Sequence, residues 1–139
     1  MTGYDWRTSM LSAFWIFLGG GLGSLARWSV SGLVARYWGE TFPFGTLVVN
    51  VTGSFAIGLL AAVTLPEGRL DSPARVFATQ FFMLGLCGGY TTFSSFSLQT
   101  LNLLRDGEWL YAGGNMLLSV LLCVLGVWLG YLAGERTLN

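Results

Sequence analysis

Four stretches of this chain are long and apolar enough to cross a bilayer, and no other feature of the sequence limits the fold as much. A hydrocarbon core of about 30 Å needs about 20 consecutive, mostly apolar residues in a helix. The stretches run from about Met10 to Val34, Phe44 to Leu65, Ala74 to Leu104, and Ala112 to Ala133. The connections RYWGETFP, PEGRLDSP and RDGEW are short and carry most of the charges, so they leave no room for a separate soluble domain. Charged residues make up 10% of the chain, against about 25% in soluble domains. The expected class is an all-α integral membrane protein, one transmembrane domain over residues 1–139.

Arg7, the apolar run after it and Ser24-Leu25-Ala26 have the layout of a cleavable signal peptide. The GGGLG segment inside the run, and the apolar residues that continue past Ala26, favour a retained first span.

Several function classes are excluded by what is missing. The net charge is zero, the cations are all arginine, and no basic tract offers a nucleic-acid surface. There is no histidine, and every carboxylate falls in a loop or near a terminus, so no nucleophile and base can be paired and no enzyme is expected. The spans hold no Asp or Glu, the usual titrating group of a proton-coupled transporter. Cys87 and Cys123 lie in apolar stretches without a CxxC motif and read as small, reduced hydrophobes.

Small residues recur four apart: Gly19 and Gly23, Ser54 and Gly58, Gly85 and Gly89, and Gly126, Gly130 and Gly134. Lipid supplies little hydrophobic drive between helices, and close backbone approach at such positions replaces it. The stripes do not say whether the partner helix belongs to the same chain. With four spans, Arg7, Arg69, Arg75 and Arg136 share one side, against Arg36 and Arg105 on the other, with Arg27 near the end of the first span. Orientation follows the excess of basic residues in short loops, so this small bias is compatible with insertion in both orientations and with a protein that simply has few charges.

The third stretch, GLCGGYTTFSSFSLQT at its centre, is too long for the bilayer. Its roughly 31 residues would make an unbroken helix of about 46 Å. An interruption near residues 88–91, at Gly88 and Gly89, is expected. Unwound backbone survives at membrane depth only inside protein or beside a wet cavity, where freed carbonyls can bind a cation. Beyond it, Phe93 and Phe96 share one helix face, with Ser94 and Ser97 on a neighbouring one. Phenyl edges are positive and suit an anion beside hydroxyl donors; from the spacing alone, simple aromatic packing with hydroxyls bonded back to the helix is the favoured reading. Asn50, Gln99, Asn115 and Ser119 place neutral polar groups on three spans, either along a pathway or as interhelical hydrogen bonds. Arg27 is either a vestibule charge or a marker of the interface.

On these segments the chain resembles the CrcB/Fluc fluoride channel family. GGGLGSLARW (19–28) is similar to its first-helix glycine motif, FPFGTLVVNVTGSFAIG (42–58) to its second-helix signature, and GLCGGYTTFSSFS (85–97) to its broken third helix. The resemblance implies an antiparallel, dual-topology homodimer of four-helix subunits in the inner cell membrane, with two pores for fluoride and one central sodium ion. It implies that Phe93 and Phe96 are pore phenylalanines, that Asn50 lines the pore, and that Thr92, Ser94, Ser95, Gln99 and Ser119 fall on or near a polar track. Arg27 would sit in the vestibule, and Gly88 and Thr91 would offer carbonyls to the sodium ion. Gln99 stands where Glu is frequent, and Ser95 where Thr is frequent. A small multidrug-type transporter would need an intramembrane Glu that this chain lacks. A membrane scaffold assembled through glycine packing is the other alternative.

Overall fold

The computed structural model describes residues 6–39, 41–64 and 70–138, and all regular structure among them is helical. The chain order is α1 (Trp6–Trp38), α2 (Phe44–Thr64), α3 (Ser72–Phe77), a π helix (Ala78–Cys87), α4 (Gly88–Tyr90), α5 (Phe93–Arg105) and α6 (Trp109–Leu138). Leu65 and Arg69 lie outside the described residues.

Local sequence accounts for most of these boundaries. α1 continues past Val34 through Arg36, Tyr37 and Trp38, residue types that suit a membrane interface. It stops at Gly39, whose φ of +75° turns the chain and whose N–H caps the Ala35 carbonyl at 2.9 Å. α2 starts directly after Pro43, which lacks an N–H and whose carbonyl accepts from Leu47 N–H at 3.1 Å. Asp71 caps α3 through a 2.9 Å bond from Ala74 N–H, with Pro73 in the first turn. α5 ends in a Schellman turn: Glu108 N–H reaches Leu103 O at 2.9 Å, Gly107 N–H reaches Leu104 O at 3.2 Å, and Gly107 has φ +80°. That turn makes α5 and α6 an antiparallel hairpin.

Among the described residues, three helices are long and apolar enough to cross a membrane, over Ser9–Trp38, Phe44–Thr64 and Trp109–Thr137. The chain is an integral membrane protein. Its burial pattern is the reverse of a water-soluble core. The largest fully buried side chains are Val49, Asn115 and Thr64, while Phe17, Trp28, Leu110 and Val124 are exposed. Lipid is as apolar as leucine, so large side chains gain little by turning inward.

Helix pairing follows the glycine stripes. α2 packs most extensively on α6, and α1 on the π helix and α4. A Cβ at Gly58 would lie 3.0 Å from Tyr131 N, and one at Gly130 would lie 3.0 Å from Leu59 N. A Cβ at Gly19 would lie 3.0 Å from Gly85 Cα, and one at Gly89 would lie 2.9 Å from Gly20 Cα. The partners that the stripes left open are therefore within the same chain. Cys87 is buried, Cys123 is half-buried, and both are free.

Candidate functional site

The helical course from Ser72 to Tyr90 ends in two extended residues, Thr91 (φ −79°, ψ 155°) and Thr92 (φ −151°, ψ 112°). Gly88 and Gly89 remain helical, so the interruption lies just beyond the glycines that were expected to cause it. Gly89 serves the close approach to α1 instead, and the two β-branched threonines take the extended conformation that suits them.

Unwinding frees main-chain polar groups, and each needs a partner. Thr91 N–H still reaches Cys87 O, at 3.0 Å. Thr92 is satisfied from another helix. Its N–H donates to Asn50 Oδ1 at 2.7 Å, and its carbonyl accepts from Asn50 Nδ2 at 3.0 Å. The side-chain amide of Asn50 thus acts as a neighbouring peptide. In an unbroken helix Thr92 N–H would bond the Gly88 carbonyl; Asn50 takes that donor away. The Thr91 carbonyl accepts from Arg27 Nη1 at 3.3 Å. Tyr90 adds a second tie to α2 through its hydroxyl, 3.0 Å from Thr52 Oγ1. Sequence reasoning passed over Tyr90, whose only signal was its place beside the break.

Thr92 also begins α5. Its Oγ1 accepts from Ser95 N–H at 3.2 Å, an N-cap that its extended backbone makes possible. The Ser94 and Ser95 hydroxyls each lie 3.1 Å from the same oxygen, so three hydroxyls cluster at the N-terminus of the helix. Phe93 and Phe96 follow, with ring centroids 5.2 Å apart and planes at 44°. Phe93 is 77% exposed and Phe96 half-buried, so this aromatic pair faces largely away from the chain's own helices.

A cleft of about 840 Å³ opens between α1, α2 and α5. It brings Arg27, Thr92, Ser95 and Gln99 to one surface, with Asp106 and Glu108 at the end nearest the α5–α6 turn. Gln99 Oε1 is buried with no hydrogen-bond partner among the described residues. Asn50, Ser94, Phe93 and Phe96 do not line the cleft; Asn50 and Ser94 connect to it through Thr92. Ser119 is held apart from it. Its hydroxyl donates to Asn115 Oδ1 at 3.4 Å, and Asn115 Nδ2 donates to Thr100 Oγ1 at 2.8 Å. Thr100 was not singled out in the sequence, although residues 100 and 115 lie symmetrically about the Gly107–Glu108 turn, as facing positions of a helical hairpin must.

A family model described as CrcB-like protein, Camphor Resistance (CrcB), matches residues 14–131. The chain belongs to the CrcB family. This CrcB chain is 60% identical over 119 residues to a fluoride-specific ion channel FluC of Opitutus terrae, covering 86% of this chain and 89% of the relative. It is 51% identical over 121 residues to the fluoride-specific ion channel FluC of Rhodospirillum rubrum, covering 87% and 92%. It is 55% identical over 119 residues to that of Methylocella silvestris, covering 84% and 88%. The CrcB family is one of ion channels, not of enzymes.

Every residue of the candidate site described above, from Arg27 to Ser119, lies within the region matched by the CrcB model. Chemically, the arrangement offers neutral donors, hydroxyls and amides, beside a single guanidinium, with the carboxylates of Asp106 and Glu108 at the far end of the cleft. Such groups can interact with an anion without binding it as a full salt bridge would.

Proposed function

We propose that this chain is a fluoride-selective passive channel that lets cytoplasmic fluoride leave the cell down its electrochemical gradient and so protects against fluoride toxicity. The observation that carries the reading is the Asn50-held break at Thr92, which sets a cluster of hydroxyls and two adjacent phenyl rings at the start of α5. Support comes from relatives whose name is fluoride-specific ion channel.

In this reading Ser72–Tyr90 and α5 together form a fourth, broken crossing, and the subunit works as an antiparallel, dual-topology homodimer in the inner cell membrane. Hydroxyls and a tilted aromatic pair on the exposed side of α5 suit burial against a second copy better than contact with lipid tails. Each of two pores is lined by Asn50 and the phenyl edges of Phe93 and Phe96, with Thr92, Ser94, Ser95, Gln99 and Ser119 on or near a polar track beside it and Arg27 drawing anions into a vestibule. Moving a bare small anion into apolar surroundings costs tens of kcal/mol by Born estimates. Many neutral donors offset that cost while holding the ion weakly enough for release.

A sodium ion would be held by the main-chain oxygens of Gly88 and Thr91, the latter exchanging its bond from Arg27 Nη1 for the ion. Such hard cations prefer oxygen ligands, the Gly88 carbonyl has lost its helical donor to Asn50, and Gly88 is exposed. A bound sodium ion would supply fixed positive charge at the dimer centre.

The test is fluoride efflux from liposomes holding the purified protein, read with a fluoride electrode, with chloride efflux in parallel. Rapid fluoride release without chloride release is expected. Intact, folded protein that releases no fluoride would refute the reading.

A further inference from the structure

We infer that the buried pair Thr100 and Asn115 fixes the rotational setting of α5, and with it the discrimination between fluoride and chloride; the part about selectivity rests on the function proposed above. α5 carries Phe93 and Phe96 but has few neighbours in its own chain. It packs on α6 and touches α2 at its start, while Leu98 and Leu101 are exposed. Apolar contact is non-directional and would let such a helix roll about its axis. A hydrogen bond fixes direction.

Among the described residues one side-chain to side-chain hydrogen bond joins α5 to α6, the 2.8 Å bond from Asn115 Nδ2 to Thr100 Oγ1. Asn115 is 1% exposed and Thr100 7%, so neither has water as a substitute partner. The Thr100 hydroxyl in turn donates to the Phe96 carbonyl at 2.8 Å, and Ser119 closes the series onto Asn115 Oδ1. A continuous set of hydrogen bonds therefore runs from α6 to the backbone of Phe96. One residue of roll in α5 would leave the Asn115 amide buried without a partner. Thr100 and Asn115 do not line the cleft or touch the extended residues, so they act through the placement of Phe96, as positioning residues.

The experiment uses the full-length protein with 4-fluorophenylalanine incorporated at position 96. It is reconstituted in liposomes for fluoride and chloride efflux and observed by fluorine NMR in micelles. Three variants are compared: Thr100→Val, Thr100→Ser, and Thr100→Val combined with Asn115→Leu. Thr100→Val should lower the fluoride-to-chloride rate ratio about tenfold, the scale of one lost directional hydrogen bond, and should move the fluorine resonance. Thr100→Ser keeps the hydroxyl and should match the parent in both readings. The double variant leaves no buried amide unpaired, so it folds even where the single variant does not, and it should still show the lowered ratio and the moved resonance. An unchanged ratio and resonance in Thr100→Val and the double variant overturns the inference, as does a serine variant that behaves like valine. If the parent passes no fluoride, the channel reading fails, and the fluorine resonance still decides whether the pair positions α5.

Discussion

Asn50 and Thr92, on different helices, meet through two hydrogen bonds in which a side-chain amide takes the place of a main-chain one. The pairing resembles one rung of a β-ladder inserted into a helical membrane protein. It leaves Thr92, only 8% exposed, fully satisfied although no helix continues through it. Replacing Asn50 by Ala would strand both groups. Each unsatisfied buried group costs about 1–3 kcal/mol, so Asn50→Ala, which strands two, should lose roughly 2–6 kcal/mol by the same measure. Thermal unfolding in detergent, followed by the loss of the folded peak on size exclusion, checks this. A midpoint equal to the parent's would show that the two bonds carry no net stability.

Phe93 lies mostly outside the chain's own packing and Phe96 is half-buried, so exchanging either ring for an aliphatic side chain is structurally mild. Phe93→Ile and Phe96→Ile should each slow fluoride efflux while leaving helix content and oligomeric state unchanged. Unchanged flux in both variants would remove the phenyl edges from the proposed route.

Gln99 sets function against stability. Its buried Oε1 bonds nothing among the described residues, so Gln99→Met removes no protein hydrogen bond. The thermal midpoint should hold or rise, because an unpaired buried carbonyl costs free energy. Fluoride efflux should fall if the amide faces the ion. A fall in midpoint with unaltered flux would mark Gln99 as structural.

Glycines two apart in α1 lie on opposite faces and should differ sharply in what they tolerate. A Cβ at Gly23 would come within 2.8 Å of Tyr90 N, whereas one at Gly21 would meet nothing within 4 Å. Gly23→Ala should therefore destabilise by about 1–3 kcal/mol through overpacking. Gly21→Ala should be neutral or stabilising by up to about 1 kcal/mol, the helix-propensity gain. Comparable midpoints for the two variants would contradict the α1–α4 contact.

How much of this was readable in advance depends on whether the signal was local. The long helices follow from runs of apolar residues, and the helix ends from Pro43, Asp71 and Gly107, each of which acts on its immediate neighbours. The glycine stripes correctly pointed to close packing but carry no address, so the pairing of Gly58 with α6 emerged only in three dimensions. Gly88 and Gly89 were read as helix breakers because glycine lowers helix stability; the neighbour that keeps Gly89 small, Gly20, is remote in sequence. Asn50 was visible as a polar residue in an apolar span, yet its partner is backbone, which leaves no trace in residue types. Thr100 was hidden for a different reason: a threonine bonded back to its own helix at Phe96 looks the same in sequence as one that also receives a bond from α6.

The backbone-to-backbone contacts of α1 with the π helix and α4, and of α2 with α6, have an entropic consequence. Glycine has no rotamers to lose, so joining helices through it freezes no side-chain motion. These pairs stay closed without depending on any rotamer, whereas α5 is held by a few directional bonds and remains the segment with the most freedom to surrender. Among the described helices, the one that carries Phe93 and Phe96 should therefore be the readiest to move, and its amides should exchange with solvent hydrogen before those of α2.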